Sequence, residues 1–208
     1  MKKSNILLVI FVLPVMQITS YAQQISDNKG QINAVLKTYV QSVIERDSTA
    51  FYSLFNDGPV EWAAAVKDRS QAKLNEKSPQ ATNYFSSSYK SFFRYLYKKQ
   101  STEDKFDNIK IIEDGTVASV TMDYSFWADG KMTNWGCKYL GLIKIDGKWK
   151  ITSVIFSIEL TDYFEQPPLS ERVFSDSVRS KTDSLSEGRS WEKISKGIPG
   201  DGDTQYSI

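Results

Sequence analysis

Apolar and polar residues alternate in four successive runs between about Lys105 and about Leu160. An Asp-Gly dipeptide separates each run from the next: Asp114-Gly115, Asp129-Gly130 and Asp146-Gly147. Alternation with a period of two is typical of strands with one buried face, and Asp-Gly favours the two-residue type I′ turn, which needs positive φ at both central positions. The pattern therefore predicts a four-stranded antiparallel meander with a turn centred on each dipeptide.

Two-residue turns also predict which side chains share a face of the sheet, because side chains alternate between faces. Counting back from the second turn pairs Tyr124 with Trp135. The face expected to be covered is apolar and aromatic: Ile109, Ile111, Ala118, Val120, Met122, Tyr124, Phe126, Trp135, Cys137, Tyr139, Val154, Phe156 and Ile158. The opposite face is expected to be mixed, with polar residues such as Asp123 and Lys138 beside four aliphatic ones: Leu140, Leu142, Ile151 and Ile155.

Ahead of the meander the apolar spacing becomes helical. One stripe recurs at intervals of three and four: Ile32, Val35, Leu36, Tyr39, Val40 and Val43. Asp47-Ser48 predicts a break and the N-cap of a second, short helix. Residues 60–66 favour a short strand. Ser78-Pro79 predicts the start of a third helix, with one stripe of apolar residues: Phe85, Tyr89, Phe92 and Leu96.

A single sheet must bury one face, and helices are the other elements available to cover it. The sequence thus predicts an α+β fold: a cone-shaped, strongly twisted antiparallel sheet, a four-stranded meander plus a short strand, covered by two to three N-terminal helices. An up-and-down β-barrel of lipocalin type is the alternative. It would need about eight strands, whereas residues 31–100 are patterned as helices.

The order of elements resembles the nuclear transport factor 2-like superfamily, in its SnoaL-like and exported bacterial branches. Two segments carry the resemblance, VIERDSTAFYSLF at the end of the first helix and YLGLIKIDGKWKITSVIFSIE in the closing hairpin. It covers about residues 31–160. The match lies in the pattern of elements and in no catalytic motif, so it implies the fold more strongly than a function.

The N-terminus has the features of a secretory signal: two lysines, an apolar stretch over residues 6–15, and small residues before Gln23. The stretch is short for a membrane span and Pro14 interrupts it. We expect cleavage after Ala22, export to the periplasm or the medium, and no membrane association afterwards. The predicted organisation is a signal peptide at 1–22, the domain at 23–164, and a polar, partly disordered extension at 165–208.

Charge and residue usage exclude several function classes. Removal of two lysines leaves 24 of the 26 basic residues against 25 acidic ones, and this near-neutral balance argues against nucleic acid as a partner. The chain has no histidine, which excludes Ser-His and Cys-His nucleophile pairs and the commonest metal ligand. Cys137 has no intrachain disulfide partner, and we expect it to be a small buried apolar residue. No metal site and no cofactor are expected.

The aromatic residues have two interpretations. They are a filled core, or part of them lines a ligand cavity in the cone. The candidate ligand-binding residues are Tyr39, Trp62, Tyr124, Phe126, Trp135, Tyr139 and Phe156. The resemblance also implies a ketosteroid-isomerase-like arrangement, in which Tyr39 supplies a hydroxyl and Glu61 a base. Its third member, an acid on the inner face of a meander strand, has no predicted occupant.

Three classes of function remain open. The first is an exported domain that binds a small apolar or aromatic ligand without catalysis. The second is an enzyme of isomerase, cyclase or hydrolase type that uses tyrosine and carboxylate groups. The third is a structural or interaction domain that forms a homodimer through the outer face of the sheet.

Overall fold

The computed structural model describes residues 15–172, with side chains from residue 27 onward. Four helices precede or interrupt the sheet: α1 (Val15–Glu45), α2 (Ser48–Ser53), α3 (Asp68–Lys77) and α4 (Tyr89–Leu96). Six strands follow one another along the chain: β1 (Glu61–Val66), β2 (Tyr84–Ser86), β3 (Thr102–Glu113), β4 (Val117–Ala128), β5 (Lys131–Ile145) and β6 (Lys148–Leu160). Most of the predicted signal peptide and most of the predicted C-terminal extension lie outside the described residues.

All six strands form one sheet in the order β2-β1-β6-β5-β4-β3. The four long strands are the predicted antiparallel meander, and β1 is the predicted short strand. β1 pairs with β6 in parallel, and β2, which the sequence pattern did not indicate, extends the edge. The predicted α+β fold is confirmed. These elements lie in one compact unit that ends at Pro167, and a second unit begins at Pro168, where a short 3₁₀ turn spans Leu169–Glu171.

The first two helices have the predicted stripe and the predicted cap. Ile32, Leu36, Tyr39 and Val43 are almost wholly buried, because their spacing places them on the side of α1 that faces the sheet. The Asp47 carboxylate accepts a hydrogen bond from the Ala50 backbone N–H at 2.9 Å and so caps α2.

The third predicted helix is wrong in its boundaries. Ser78 ends α3 and does not begin a helix. Phe85 lies on β2, and α4 begins after Ser88, whose hydroxyl accepts a hydrogen bond from the Ser91 N–H. Ser-Pro suits a helix start but equally suits the loop that follows a helix end, so the dipeptide alone does not distinguish the two.

Two of the three Asp-Gly turns have the predicted geometry. Asp129 and Gly130 have φ of 53° and 76°, and Asp146 and Gly147 have 48° and 76°. These are the paired positive values of a type I′ turn. The first turn is longer than predicted, since Glu113 pairs with Ala118 and four residues, where two were expected, lie between these partners.

A β-bulge at Thr133 overturns the predicted register of β5. Trp127 pairs with Met132, but Phe126 then pairs with Asn134, so one extra residue enters β5. From there on the alternation is reversed, because a one-residue shift moves each side chain to the other face. Trp135, Cys137 and Tyr139 therefore lie on the outer face, and the predicted pairing of Tyr124 with Trp135 on the covered face is wrong.

A second bulge at Thr152 reverses the alternation again. Leu142 pairs with Ile151, whereas Gly141 pairs with Ser153. As a result Val154 and Phe156 lie on the covered face as predicted. The predicted mixed outer face is wrong for three of its four aliphatic members, since Leu140, Leu142 and Ile151 are buried in the core. Only Ile155 is on the outer face, where it is 48% exposed.

The core lies between the helices and the covered face of the sheet and is rich in rings. Phe51 is central: its ring lies 4.8–5.1 Å from the rings of Phe93, Phe55 and Tyr39. Tilted ring pairs at this separation add stability beyond the apolar area that they bury. Among residues 15–172, no helix is both long enough and apolar enough to cross a bilayer.

Candidate functional site

A cavity of about 230 Å³ lies on the covered face of the sheet, beside β1, β2 and α4. Rings form most of its wall, and polar groups come from the meander strands. Its lining comprises Trp62, Phe85, Phe92, Tyr95, Asp104, Tyr124, Phe126, Thr133, Asn134, Lys138, Phe156 and Ile158. Ring walls with a few polar groups are typical of a small-molecule site. The volume is below the range of about 300–1,000 Å³ for drug-sized ligands, so the cavity suits a molecule of one or two rings.

The rings of the wall contact one another and thereby fix their own orientation. The Trp62 and Phe92 rings are stacked, with centroids 4.9 Å apart. Phe126 meets Phe92 edge to face at 6.0 Å, and Phe156 meets Tyr124 edge to face at 5.8 Å. A wall made of rings held in this way is apolar and favours an aromatic occupant.

A buried ion pair forms the polar end of the cavity. Lys138 Nζ lies 2.7 Å from Asp104 Oδ2, and the two side chains are only 4% and 1% exposed. Burial lowers the pKa of Lys138, and the negative charge of Asp104 acts in the opposite direction. The bulge at Thr133 places Lys138 on this covered face of the sheet. The simple alternation had placed Lys138 on the outer face and its neighbours Cys137 and Tyr139 on the covered one.

Lys138 Nζ is also surrounded by rings. Its distances to the ring centroids of Tyr124, Phe106, Tyr39 and Phe156 are 4.6, 5.1, 5.4 and 5.6 Å. Cation–π attraction at these distances helps to hold an ammonium group away from water. A single carboxylate and several rings thus form the surroundings of this amine.

Two buried oxygen atoms lie near the ion pair, Asp104 Oδ1 and the Tyr39 hydroxyl oxygen, and neither has a hydrogen-bond partner of regular geometry. Tyr39 is wholly buried behind the cavity wall. Its pKa is raised well above the usual value, first by burial, then by the charge of Asp104 and by hydrogen bonding to that carboxylate. The Tyr39 hydroxyl is therefore within reach of Asp104 as a donor, and the carboxylate keeps the capacity to accept a further hydrogen bond from an occupant of the cavity.

Tyr124 and Asn134 complete the polar part of the wall. The Tyr124 hydroxyl lies 3.0 Å from Asn134 Oδ1 and 2.9 Å from the Ser157 carbonyl oxygen. Gly136 allows the Ser157 carbonyl to turn towards this hydroxyl, because a Cβ atom at position 136 would lie only 2.1 Å from that oxygen. Burial raises the pKa of Tyr124 well above its usual value, so the hydroxyl keeps its proton and can donate it.

Four of the seven predicted ligand-binding residues line the cavity: Trp62, Tyr124, Phe126 and Phe156. Tyr39 lies behind the wall. Tyr139 is on the outer face and 43% exposed. Trp135 is also on the outer face, where its Nε1 donates a hydrogen bond to the Phe164 carbonyl oxygen at 3.0 Å. The bulge at Thr133 separates Trp135 and Tyr139 from the other five.

The predicted catalytic pair, Tyr39 and Glu61, does not come together in a buried site. Glu61, at the start of β1, is exposed, whereas Tyr39 is fully buried. The acid that lies beside Tyr39 is Asp104. The sequence-based conclusion that no acid lies on the inner face of a meander strand is therefore wrong. Lys138 was missed because the alternation placed it outside, and no local signal marks the bulge that brings it inside.

A separate polar cluster lies on the outer face around Glu159. The Arg69 guanidinium contacts Glu159 at 2.6 Å, and the Ser70 hydroxyl donates to the same carboxylate at 2.5 Å. Glu159 is 1% exposed, so these contacts compensate a buried charge and fix α3 on the sheet. Within the part of the chain that the structure describes, no group of three or more Cys, Asp or Glu side chains is arranged to hold a metal ion.

The sequence matches the model of one protein family, described as "Putative lumazine-binding", over residues 27–157. This is more than half of the chain, and it contains most of the sheet and the whole polar end of the cavity. The chain belongs to this lumazine-binding-like family. The family and the fold together confirm the predicted nuclear transport factor 2-like superfamily. No curated protein matches the sequence.

Solved structures show the same fold at low sequence identity. A crystal structure titled "Putative Scytalone Dehydratase", from Novosphingobium aromaticivorans, is 16% identical with a TM-score of 0.53, over 72% of this chain and 98% of that one. An NTF2-like protein of unknown function from Pseudomonas putida is 10% identical with a TM-score of 0.50, over 69% and 98%. These likenesses show that this chain and these two proteins share a fold.

Proposed function

We propose that this member of the lumazine-binding-like family binds a small planar aromatic molecule in the ring-lined cavity. One observation carries the proposal: ring-lined walls end in a buried Asp104–Lys138 pair that also lines the cavity. A planar ring with a polar edge would contact the walls and donate a further hydrogen bond to the Asp104 carboxylate. Lumazine, named in the description of the family, is a two-ring heterocycle with such an edge.

Calorimetric titration with lumazine and with 2-naphthalenemethanol tests this proposal. Phe85 is 41% exposed at the rim of the cavity, so Phe85→Ala should weaken binding at least fivefold with little effect on stability. Tyr84→Ala is the matched control: Tyr84 is the neighbouring ring on β2, is 57% exposed, and is not part of the cavity lining. Absence of heat with both compounds, or equal weakening by both variants, would contradict the proposal.

An enzymatic function is a second candidate, and Asp104 favours it. This acid lies on the inner face of β3 beside the Tyr39 hydroxyl, where the ketosteroid-isomerase-like arrangement was expected to have none. As a carboxylate that is 1% exposed and paired with Lys138, it suits the role of base that was assigned to the exposed Glu61, and such a base can remove a proton next to a carbonyl group. Exchange of the α-protons of 2-tetralone for deuterium, followed by NMR, should be accelerated by the protein and not by Asp104→Asn. No acceleration above buffer would exclude this candidate.

Export and self-association complete the proposal. The charged start and apolar stretch of residues 1–22 support export through a cleaved signal. On the outer face, Tyr139 and Ile155 pair across β5 and β6 and are 43% and 48% exposed. This pair supports a homodimer through that face, although the buried position of Leu140, Leu142 and Ile151 makes the apolar area smaller than the sequence predicted. Sedimentation velocity of the wild type and of Tyr139→Glu tests it: a monomer in both would refute the dimer.

A further inference from the structure

Lys138 has surroundings that differ from those of a lysine whose only role is structural. Its amine lines a cavity, has one carboxylate at 2.7 Å, and is otherwise surrounded by ring faces 4.6–5.6 Å away. A structural ion pair needs no free space beside it, but here the space is present and is shaped for a flat molecule. The inference that follows rests on the proposed ligand cavity.

The same surroundings are those that a protonated imine requires. An imine formed on Nζ keeps a positive charge on that nitrogen, so it needs a counterion in an apolar site. Asp104, 1% exposed, is already placed as that counterion. Lys138 and Asp104 are 4% and 1% exposed, and this burial limits the access of water, which would hydrolyse the imine. The charge balance of the site is therefore the same before and after the reaction.

We infer that Lys138 forms an imine with an aromatic aldehyde that enters the cavity. Asp104 first takes a proton from the ammonium group, which leaves a neutral amine. The Nζ lone pair attacks the aldehyde carbon, and a proton moves from nitrogen to oxygen to give a carbinolamine. Asp104 then returns its proton to the hydroxyl group, water leaves, and a protonated imine remains paired with the Asp104 carboxylate. One C=N bond replaces one C=O bond, and no oxidant or reductant is needed.

The protonation equilibrium supports this step, because burial lowers the pKa of Lys138. A lysine desolvated in an apolar pocket is a better nucleophile at neutral pH than one on the surface. Lys138 is also the only lysine in the lining of this cavity among the described residues. We therefore expect selectivity for this one amine over the other lysines of the chain.

The test uses the full chain, 2-naphthaldehyde as the probe, and sodium cyanoborohydride to reduce the imine. The expected product is a single secondary amine whose mass exceeds that of the protein by the mass of the aldehyde less one oxygen atom. Because trypsin does not cleave after an alkylated lysine, the modified peptide should span residues 132–144. Lys138 should be modified at least tenfold faster than any other lysine. Modification spread over surface lysines, without enrichment at Lys138, would overturn the inference.

Two further measurements separate this inference from the proposed cavity. 2-Naphthalenemethanol has nearly the same shape but cannot form an imine, so its binding reports on the cavity alone. If it binds and Lys138 is not modified, the imine is refuted and the cavity stands; if neither it nor lumazine binds, the proposed ligand cavity is refuted as well. Lys138→Arg keeps the positive charge and should lose the adduct, whereas Lys73→Arg, at an exposed helix position, should keep it. Should Lys138→Arg fail to fold, the wild-type peptide map still decides.

Discussion

Replacement of Lys138 by methionine should destabilise the fold strongly. Lys138 and Asp104 are 4% and 1% exposed, and their charged atoms are 2.7 Å apart. The variant therefore leaves a carboxylate buried without its partner. Breaking a buried pair in this way costs about 3–5 kcal/mol. With a urea dependence of about 2 kcal/mol per molar, the midpoint of unfolding should fall by about 2 M.

A second variant distinguishes an unpaired charge from a simple loss of packing. Replacing both members by apolar residues, Lys138→Met with Asp104→Leu, removes the buried charge altogether. Such double replacements are often neutral, or stabilising by about 1–4 kcal/mol. We therefore expect the double variant to recover most or all of the stability that the single variant loses.

Urea titrations at pH 7, followed by far-UV circular dichroism and tryptophan fluorescence, measure the free energy of unfolding of all variants. Lys73→Met is the control, because Lys73 pairs with Glu76 on the exposed side of α3 and an exposed pair contributes less than about 1 kcal/mol. A loss below about 1 kcal/mol for Lys138→Met would refute the reasoning. It would mean that water reaches Asp104 freely and that the pair does not lie in an apolar site.

Three further predictions concern other parts of the chain. Gly136→Ala should destabilise the protein by more than about 1 kcal/mol in urea titrations, because its Cβ would lie 2.1 Å from a carbonyl oxygen. Gly30→Ala is the control. Gly30 has open space around it on α1, so this variant should be neutral or stabilising by up to about 1 kcal/mol. Burial raises the pKa of Cys137 to about 11, so Ellman's reagent at pH 8 should leave the folded protein unmodified and label it at once in urea; fast labelling without urea would contradict this. N-terminal sequencing of the exported protein should begin at Gln23, and an intact Met1 on the exported protein would disprove cleavage.

The titration of Cys137 also has a defined effect on stability. Its folded pKa is raised above the unfolded value, so the folded state keeps the thiol proton where the unfolded state has lost it. This contribution to stability is fully present below about pH 9 and is lost as the pH rises towards 11. Burial and the charge of Asp123 both raise this pKa.

The meander and the first helices could be predicted from the sequence because their signals are local. Asp-Gly sets positive φ within two residues, and the stripe that contains Tyr39 repeats within one helix. The boundaries of α3, β2 and α4 could not be predicted in the same way. Ser78 is compatible with either end of a helix. β2 has only three residues, so its strand structure is decided by its pairing with β1 rather than by its own composition.

The polar end of the cavity could not be predicted, because it depends on long-range pairing. Lys138 and Asp104 are 34 positions apart and meet only because β5 carries one extra residue before Lys138 and because β3 also shifts register between Asp107 and Lys110. Thr133 supplies that residue, and its hydroxyl donates a hydrogen bond to the Phe126 carbonyl oxygen at 3.2 Å. A threonine in a strand is ordinary, so nothing in the sequence near this position distinguishes a bulge from a regular strand.

The bulges at Thr133 and Thr152 act on this sheet as two compensating frameshifts act on a gene. The extra residue Thr133 reverses which side chains of β5 face the core, and the extra residue Thr152 restores the predicted orientation in β6. Only the residues between the two bulges, from Asn134 onward, face the side opposite to the predicted one, and Lys138 is among them. Deletion of the single residue Thr133 would present Cys137 and Tyr139 to the cavity in place of the lysine. One codon thus decides whether the Asp104 carboxylate in this cavity has a lysine as its partner.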